Sequence, residues 1–138
     1  MVDRFILDAC ALLSFIYDEP GCNVVQTTLE RADIGQIDLY MNKLNLLEVY
    51  YDICRSKGID VAEDYYNMVL ESSIFLIDGI ADDVFREAGR LKTQYKMSLA
   101  DSVALGQASV LGASILTSDH HEFDVIEQKE NIAFCWIR

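Results

Sequence analysis

Residues 99–123 read LADSVALGQASVLGASILTSDHHEF and predict a helix followed directly by a buried strand. Apolar and small residues recur at helical spacing up to Gly112, which ends the helix. The short apolar run 113–117 is typical of a parallel strand that is covered on both faces. A helix that leads into a parallel strand runs antiparallel to it, so we expect Asp101 and Asp119 at the same edge of a sheet.

The composition is that of a globular chain. Its 138 residues are 51% hydrophobic and 25% charged, which suits one domain with one core, and we predict a single domain over residues 1–138. No apolar run is long enough to cross a membrane, and the run at 5–16 is interrupted by Asp8 and lacks the features of a signal peptide. Four cysteines without a Cys-x-x-Cys pair favour reduced thiols, so we predict a cytoplasmic protein.

The formal net charge of −12 disfavours a protein that coats nucleic acid nonspecifically. It does not exclude a nucleic acid substrate. Divalent cations bound to a group of acidic residues reverse the local sign of the charge, and phosphates can then approach.

The rest of the chain alternates short apolar runs with amphipathic stretches. The predicted strands are 5–7, 37–41, 74–77, 114–117 and 133–137, and the predicted helices are 9–17, 22–32, 46–57, 61–71, 81–95, 99–111 and a short one near 122–127. This alternation requires βαβ crossovers and therefore a mostly parallel sheet with helices on both faces. The predicted fold class is a three-layer α/β/α domain with about five strands, whose sites lie at the carboxyl ends of the strands.

Four acidic residues fall at that edge of the predicted sheet. Asp8 and Asp119 end strands, Glu48 opens a helix that leaves a strand, and Asp101 opens a helix that leads to one. Each also has an ordinary structural interpretation as part of a helix cap. The expected caps are Asp8 itself and the pairs Asn45 with Glu48, Ser98 with Asp101, and Asp119 with Glu122.

Four carboxylates at one edge need a counter-ion. Two like charges about 4 Å apart repel by roughly 4 kcal/mol at an effective dielectric near 20. No lysine or arginine is adjacent to any of the four in sequence. An all-oxygen site of this kind favours Mg²⁺ or Mn²⁺, and two such ions can activate a water for in-line attack on phosphorus.

Five segments carry motifs in a distinctive order: 5–13 (FILDACALL), 18–21 (DEPG), 45–51 (NLLEVYY), 99–105 (LADSVAL) and 117–119 (TSD). In this order and spacing they resemble the successive motifs of PIN-domain ribonucleases, in particular VapC-type toxins, over nearly the whole chain. The resemblance implies a PIN fold and a Mg²⁺- or Mn²⁺-dependent endoribonuclease that cuts single-stranded or looped RNA. It also implies an antitoxin protein as partner and a homodimer.

By the same resemblance the catalytic, metal-binding carboxylates are Asp8, Glu48, Asp101 and Asp119, with Thr117 supporting them through hydrogen bonds. Glu122 is the nearest counterpart of a further acidic residue that some relatives have after the last aspartate. His120 and His121 are interpreted as ordinary surface residues.

One departure from the family pattern motivates a second hypothesis. Cys10 stands where many relatives have a serine or threonine, and a thiol is a weaker hydrogen-bond donor. The alternative is therefore a catalytically weak or inactive PIN-like domain that acts as a binding or regulatory module. A phosphatase-type site ranks last, since no Asp-x-Asp motif and no glycine-rich phosphate loop is present.

Overall fold

The structure, a computed structural model, describes residues 2–138 and contains five strands and seven helices within that range. In chain order they are β1 (Asp3–Leu7), α1 (Ala9–Ile16), α2 (Cys22–Asp33), β2 (Ile37–Asn42), α3 (Lys43–Lys57), α4 (Ile59–Glu71), β3 (Phe75–Ile77), α5 (Asp82–Gln94), α6 (Leu99–Leu111), β4 (Ser114–Thr117), α7 (His120–Lys129) and β5 (Phe134–Trp136). The strands form one sheet in the order β3-β2-β1-β4-β5, and every neighbouring pair is parallel. The predicted parallel α/β sheet is confirmed.

Neighbouring residues on the central strands face opposite layers of helices. Leu7 and Leu116 pack in a core with helices α1 to α4, whereas Ile6 and Ile115 pack in a second core with helices α5 to α7. All four side chains are fully buried. This explains why the central strands read as continuous apolar runs, and it gives the three layers that the sequence predicts.

Helix α6 approaches α5 unusually closely. A Cβ atom added to Gly106 would lie 3.0 Å from the backbone nitrogen of Ala88 and 3.2 Å from the carbonyl oxygen of Val84. The small residues of α6 therefore allow backbone-to-backbone packing with α5, in addition to the packing on the sheet that their spacing predicts.

Three of the four expected caps are confirmed. Asp8 accepts a hydrogen bond from the N–H of Ala11 at 2.8 Å. The Ser98 hydroxyl accepts one from the N–H of Asp101 at 3.1 Å. Asp119 accepts one from the N–H of Glu122 at 3.2 Å.

The expected cap at Asn45 is wrong. Helix α3 begins three residues earlier than predicted, and its N-cap is Asn42, whose side-chain oxygen accepts from the N–H of Leu44 at 2.9 Å. Both asparagines are compatible with a cap, but strand β2 runs on to Asn42 and the helix starts directly after it. Asn45 lies within the helix and is fully buried.

The remaining elements agree with the prediction to within a few residues. Helix α7 is longer than predicted, since it starts at His120 and ends at Lys129. Strand β5 is shorter than predicted, at Phe134–Trp136. In the part of the chain that is described, no helix has the length and apolar character needed to span a lipid bilayer.

Candidate metal centre

The sheet topology places Asp8 and Asp119 side by side. Strands β1 and β4 are neighbours in register, with Leu7 opposite Leu116, and Asp8 and Asp119 each follow the carboxyl end of one of these strands. The N–H of Asp8 also donates to the carbonyl oxygen of Leu116 at 3.4 Å. Two acidic side chains that are far apart in sequence thus stand at the same edge of the sheet.

Two helices bring the other two carboxylates to this edge. Glu48 lies on α3, which leaves the carboxyl end of β2, and Asp101 lies in the first turn of α6. The four carboxylates are close enough to perturb one another electrostatically: Asp101 and Asp119 both raise the pKa values of Asp8 and Glu48. The structure therefore brings together all four predicted residues, which we call the acidic cluster: Asp8, Glu48, Asp101 and Asp119.

Asp8 is the most buried member of the acidic cluster. Its side chain is 2% exposed, and burial raises its pKa from 3.8 to about 7. Hydrogen bonds from Thr117 and from the N–H of Ala11 act in the opposite direction, since they favour the charged carboxylate. Desolvation outweighs them, so the uncompensated charge on Asp8 is costly.

Asp101 and Glu48 share this behaviour to a smaller degree. Burial raises the pKa of Asp101 to about 6, and the negative charges of Asp119 and Glu122 add to the shift. Burial also raises the pKa of Glu48. Among residues 2–138, none of the four carboxylates forms an ion pair with a lysine, arginine or histidine.

The donor set fits a hard divalent cation. It consists of carboxylate oxygens without a protein cation nearby, which is the chemistry that Mg²⁺ and Mn²⁺ prefer. The cluster is open: within residues 2–138, no three Asp, Glu, His or Cys side chains stand close enough to hold one ion. Mg²⁺ commonly uses one or two carboxylates and keeps several waters, so an open cluster is compatible with such a site.

Thr117 lies between the two strand-end aspartates. It is fully buried, and its hydroxyl oxygen accepts from the N–H of Asp119 at 3.1 Å. Its side chain also lowers the pKa of Asp8, which places it beside that carboxylate. Glu122 lies one turn beyond Asp119 and its charge raises the pKa of Asp101, so it borders the acidic cluster.

Cys10 lies beside the acidic cluster and is half-buried. Its Sγ atom is 2.9 Å from the hydroxyl oxygen of Ser118. Burial raises the pKa of the thiol, and the charges of Asp8 and Asp119 add to this shift. A protonated thiol can still donate a hydrogen bond to Ser118, so Cys10 keeps a polar contact with the loop that carries Asp119.

The sequence interpretation missed one residue near the cluster, Asn45. Asn45 donates from Nδ2 to the carbonyl oxygen of Ala100 at 3.0 Å, next to Asp101, and its Oδ1 is buried without a hydrogen-bond partner. The only signal in the sequence was an asparagine three residues before Glu48, which was assigned to a cap.

His120 is an exposed residue, as predicted, and in addition its side chain is held in place by specific contacts. Its ring stacks on that of Trp136 with centroids 3.8 Å apart. Its nitrogens lie 2.8 Å from the Asp124 carboxylate and 2.8 Å from the carbonyl oxygen of Arg138, and these contacts raise its pKa. A stack between residues sixteen apart gives no local sequence pattern.

Comparison with known families gives one match: the PIN domain model matches residues 5–129, which is most of the chain. No curated protein sequence is detectably similar to this chain.

Several solved structures share the fold at low sequence identity. VapBC2 from Rickettsia felis, bound to a DNA fragment from its promoter, has a TM-score of 0.77 and 17% identity, over 96% of this chain and 98% of that one. DNA-bound VapBC from Salmonella typhimurium has a TM-score of 0.74 and 14% identity over the full length of both chains. VapC20 from Mycobacterium tuberculosis, described as a sarcin-ricin loop cleaving toxin, has a TM-score of 0.67 and 10% identity, over 88% and 94%.

Proposed function

This chain belongs to the PIN domain family, and we propose that it is a Mg²⁺- or Mn²⁺-dependent endoribonuclease of the VapC type. The observation that carries the proposal is the acidic cluster, in which carboxylates from four separate segments meet without a protein cation. The reaction is hydrolysis of an RNA phosphodiester bond: water adds across a P–O bond and leaves a phosphate monoester and a hydroxyl group.

The metal-binding residues would be Asp8, Glu48, Asp101 and Asp119, with each ion bound by one or two of these carboxylates and otherwise by water. A bound divalent cation lowers the pKa of a water and stabilises negative charge on the reacting phosphate. Thr117 lies beside Asp8 and favours its charged form, and at neutral pH the raised pKa values leave Asp8 and Asp101 partly protonated until a cation displaces the proton.

An antitoxin protein is the proposed partner. The solved structures that share this fold include several VapBC complexes. Helix α3, which carries Glu48, also lines an apolar cleft of about 220 Å³ with α4, bordered by Leu46, Leu47, Tyr50 and Tyr66. A partner segment seated in this cleft would contact the helix that carries Glu48.

A homodimer and a cytoplasmic location complete the proposal. The homodimer follows from the resemblance to VapC-type toxins, and sedimentation of the purified chain tests it. The cytoplasmic location rests on the thiols, because Cys10, Cys22, Cys54 and Cys135 are all free.

The test compares Mn²⁺ binding and RNA cleavage in the wild type and in Asp8→Asn and Asp101→Asn variants. We expect both variants to lose Mn²⁺ affinity and to cleave RNA at least a hundredfold more slowly. Asp33→Asn, which changes an exposed aspartate at the end of α2, is the matched control and should behave as wild type. Unchanged binding and cleavage in the Asp101→Asn variant would refute the proposal.

The alternative is a PIN-like module with weak or no catalysis, which binds or regulates a partner. Two observations favour it: Cys10 replaces a stronger hydrogen-bond donor, and the acidic cluster is open. A folded chain that dimerises and yet cleaves no RNA at any Mn²⁺ concentration would support this alternative over the nuclease.

A further inference from the structure

Asn45 connects the two helices that carry half of the acidic cluster. It lies on α3 one turn before Glu48, and its Nδ2 donates to the carbonyl oxygen of Ala100 at 3.0 Å. Ala100 directly precedes Asp101 at the start of α6. The amide of Asn45, which is fully buried, therefore fixes the spacing between the segments that present Glu48 and Asp101.

The other end of this amide lacks a partner. Asn45 Oδ1 is the one buried side-chain nitrogen or oxygen without a hydrogen bond among residues 2–138. Rotating the amide would set Oδ1 against the Ala100 carbonyl oxygen and leave Nδ2 without its acceptor, so the orientation is determined by the contact. Buried polar atoms are nearly always satisfied, and a buried water is the usual partner when no protein group is available.

The carboxylates of the acidic cluster determine what else a water bound to Asn45 Oδ1 can contact. Glu48 lies one turn further along α3 and Asp101 directly follows Ala100 on α6, and both side chains are hydrogen-bond acceptors when charged. A water that donates one proton to Oδ1 and the other to a carboxylate has only its oxygen lone pairs left. Those lone pairs suit a cation, which is the species that the carboxylates also require.

We infer that Asn45 is a positioning residue of the metal centre, whose Oδ1 accepts a hydrogen bond from a water bound to the divalent cation. Its Nδ2 holds α3 against α6 at the same time. The inference rests on the proposed function, because it requires that the acidic cluster binds a metal. Asn45 thus joins the four carboxylates as a fifth residue of the site. Unlike them, it does not bind the metal and instead orients a metal-bound water.

Two substitutions separate the roles of the two amide atoms. Asn45→Leu removes both atoms at similar volume, and Asn45→Asp keeps an acceptor oxygen but loses the donor to Ala100. Asn42→Ala is the matched control on the same helix. Asn42 is 2% exposed and both its amide atoms are satisfied, by the N–H of Leu44 and the carbonyl oxygen of Gly79.

The measurements are Mn²⁺ affinity by calorimetry and thermal stability without metal. We expect Asn45→Leu to lower Mn²⁺ affinity about 10- to 100-fold, as loss of a residue that supports metal-bound groups typically does. Its metal-free melting temperature should stay close to that of the wild type, because removal of the unsatisfied Oδ1 offsets the lost hydrogen bond from Nδ2 to Ala100. Asn45→Asp should keep Mn²⁺ affinity within about threefold, and Asn42→Ala should lower thermal stability but leave Mn²⁺ affinity unchanged.

A second readout follows the water itself. Enhancement of water proton relaxation by bound Mn²⁺ reports the exchange of metal-bound water, and we expect faster exchange in the Asn45→Leu variant at saturating Mn²⁺. A Leu variant with wild-type affinity and wild-type exchange would overturn the inference and leave the proposed metal centre intact. Should Asn45→Leu not fold, Asn45→Ala takes its place, and wild-type affinity together with wild-type exchange in that variant would overturn the inference as well. A wild-type chain that binds no Mn²⁺ would overturn both proposals.

Discussion

The Asp8 carboxylate accepts a hydrogen bond from the N–H of Ala11 at 2.8 Å, and yet burial raises its pKa to about 7. One side chain thus serves as an N-cap of α1 and as a member of the acidic cluster. A neutral asparagine can accept the same bond, so the cap does not need the charge. The charge is retained at a cost that a bound cation would offset.

Asp8→Asn is therefore expected to stabilise the metal-free protein. The folded-state pKa of about 7 lies above the ordinary aspartate value of 3.8, so the contribution of Asp8 to stability is greatest below about pH 4 and is lost as the pH rises through 7. We expect the free energy of unfolding to increase by about 2 kcal/mol at pH 8 and to change little at pH 4. Urea unfolding at both pH values tests this, and a variant that is less stable at pH 8 would contradict it.

Mn²⁺ binding should release protons near pH 6. Asp8 and Asp101 have pKa values raised to about 7 and about 6, so both are largely or partly protonated there, and a cation must displace those protons. Calorimetry in two buffers of different ionisation enthalpy should report roughly one proton released at pH 6 and close to none at pH 8.5, with weaker binding at the lower pH. Equal proton release at both pH values would show that these carboxylates are already charged.

Gly106→Ala should destabilise the fold. The added Cβ atom would lie 3.0 Å from the backbone nitrogen of Ala88, and a backbone atom cannot move aside without shifting α5. We expect a loss of about 1–3 kcal/mol in the free energy of unfolding. Gly89→Ala is the matched control: nothing lies within 4 Å of its added Cβ, so the higher helix propensity of alanine should stabilise α5 by about 0.5–1 kcal/mol. Equal effects of the two substitutions would mean that α5 and α6 pack less closely than described.

Asp124→Asn should lower the pKa of His120. The hydrogen bond to the Arg138 carbonyl oxygen raises this pKa most, and the hydrogen bond to Asp124 raises it further. The protonated His120 ring therefore stabilises the fold below about pH 6.5, and this stabilisation is lost as the pH rises through the folded-state pKa. An NMR titration of the imidazole measures the change. Glu122→Gln removes a carboxylate from the same helix that does not bond to His120, and should leave its pKa unaltered.

The fold could be predicted because burial on both faces leaves a readable pattern. Residues 5–7 are apolar throughout, as are Ile115 and Leu116 at the centre of β4, and Ser98 and Gly112 correctly delimit the helix between them. The strand order β3-β2-β1-β4-β5 was not predicted, since it depends on contacts between strands far apart in sequence. The convergence of Asp8 and Asp119 required only that β1 and β4 be parallel neighbours.

The details that the sequence did not reveal are tertiary in origin. The local sequence is compatible with an N-cap of α3 at either Asn42 or Asn45. The N-cap is Asn42 because β2 extends to that residue and the helix starts directly after it. The contact from Asn45 to Ala100 and the stack of His120 on Trp136 join residues that no short window contains together. Both became visible only when the helices and strands were in place.

Two members of the acidic cluster lie in the first half of the chain and two lie in the second half. Asp8 and Glu48 precede β3, whereas Asp101 and Asp119 follow it, and the sheet joins the two groups through the pairing of β1 with β4. During translation, a nascent chain that ends before β4 has left the ribosome carries only an incomplete set of carboxylates. The four carboxylates can therefore come together only after Asp119 has been synthesised and β4 has paired with β1.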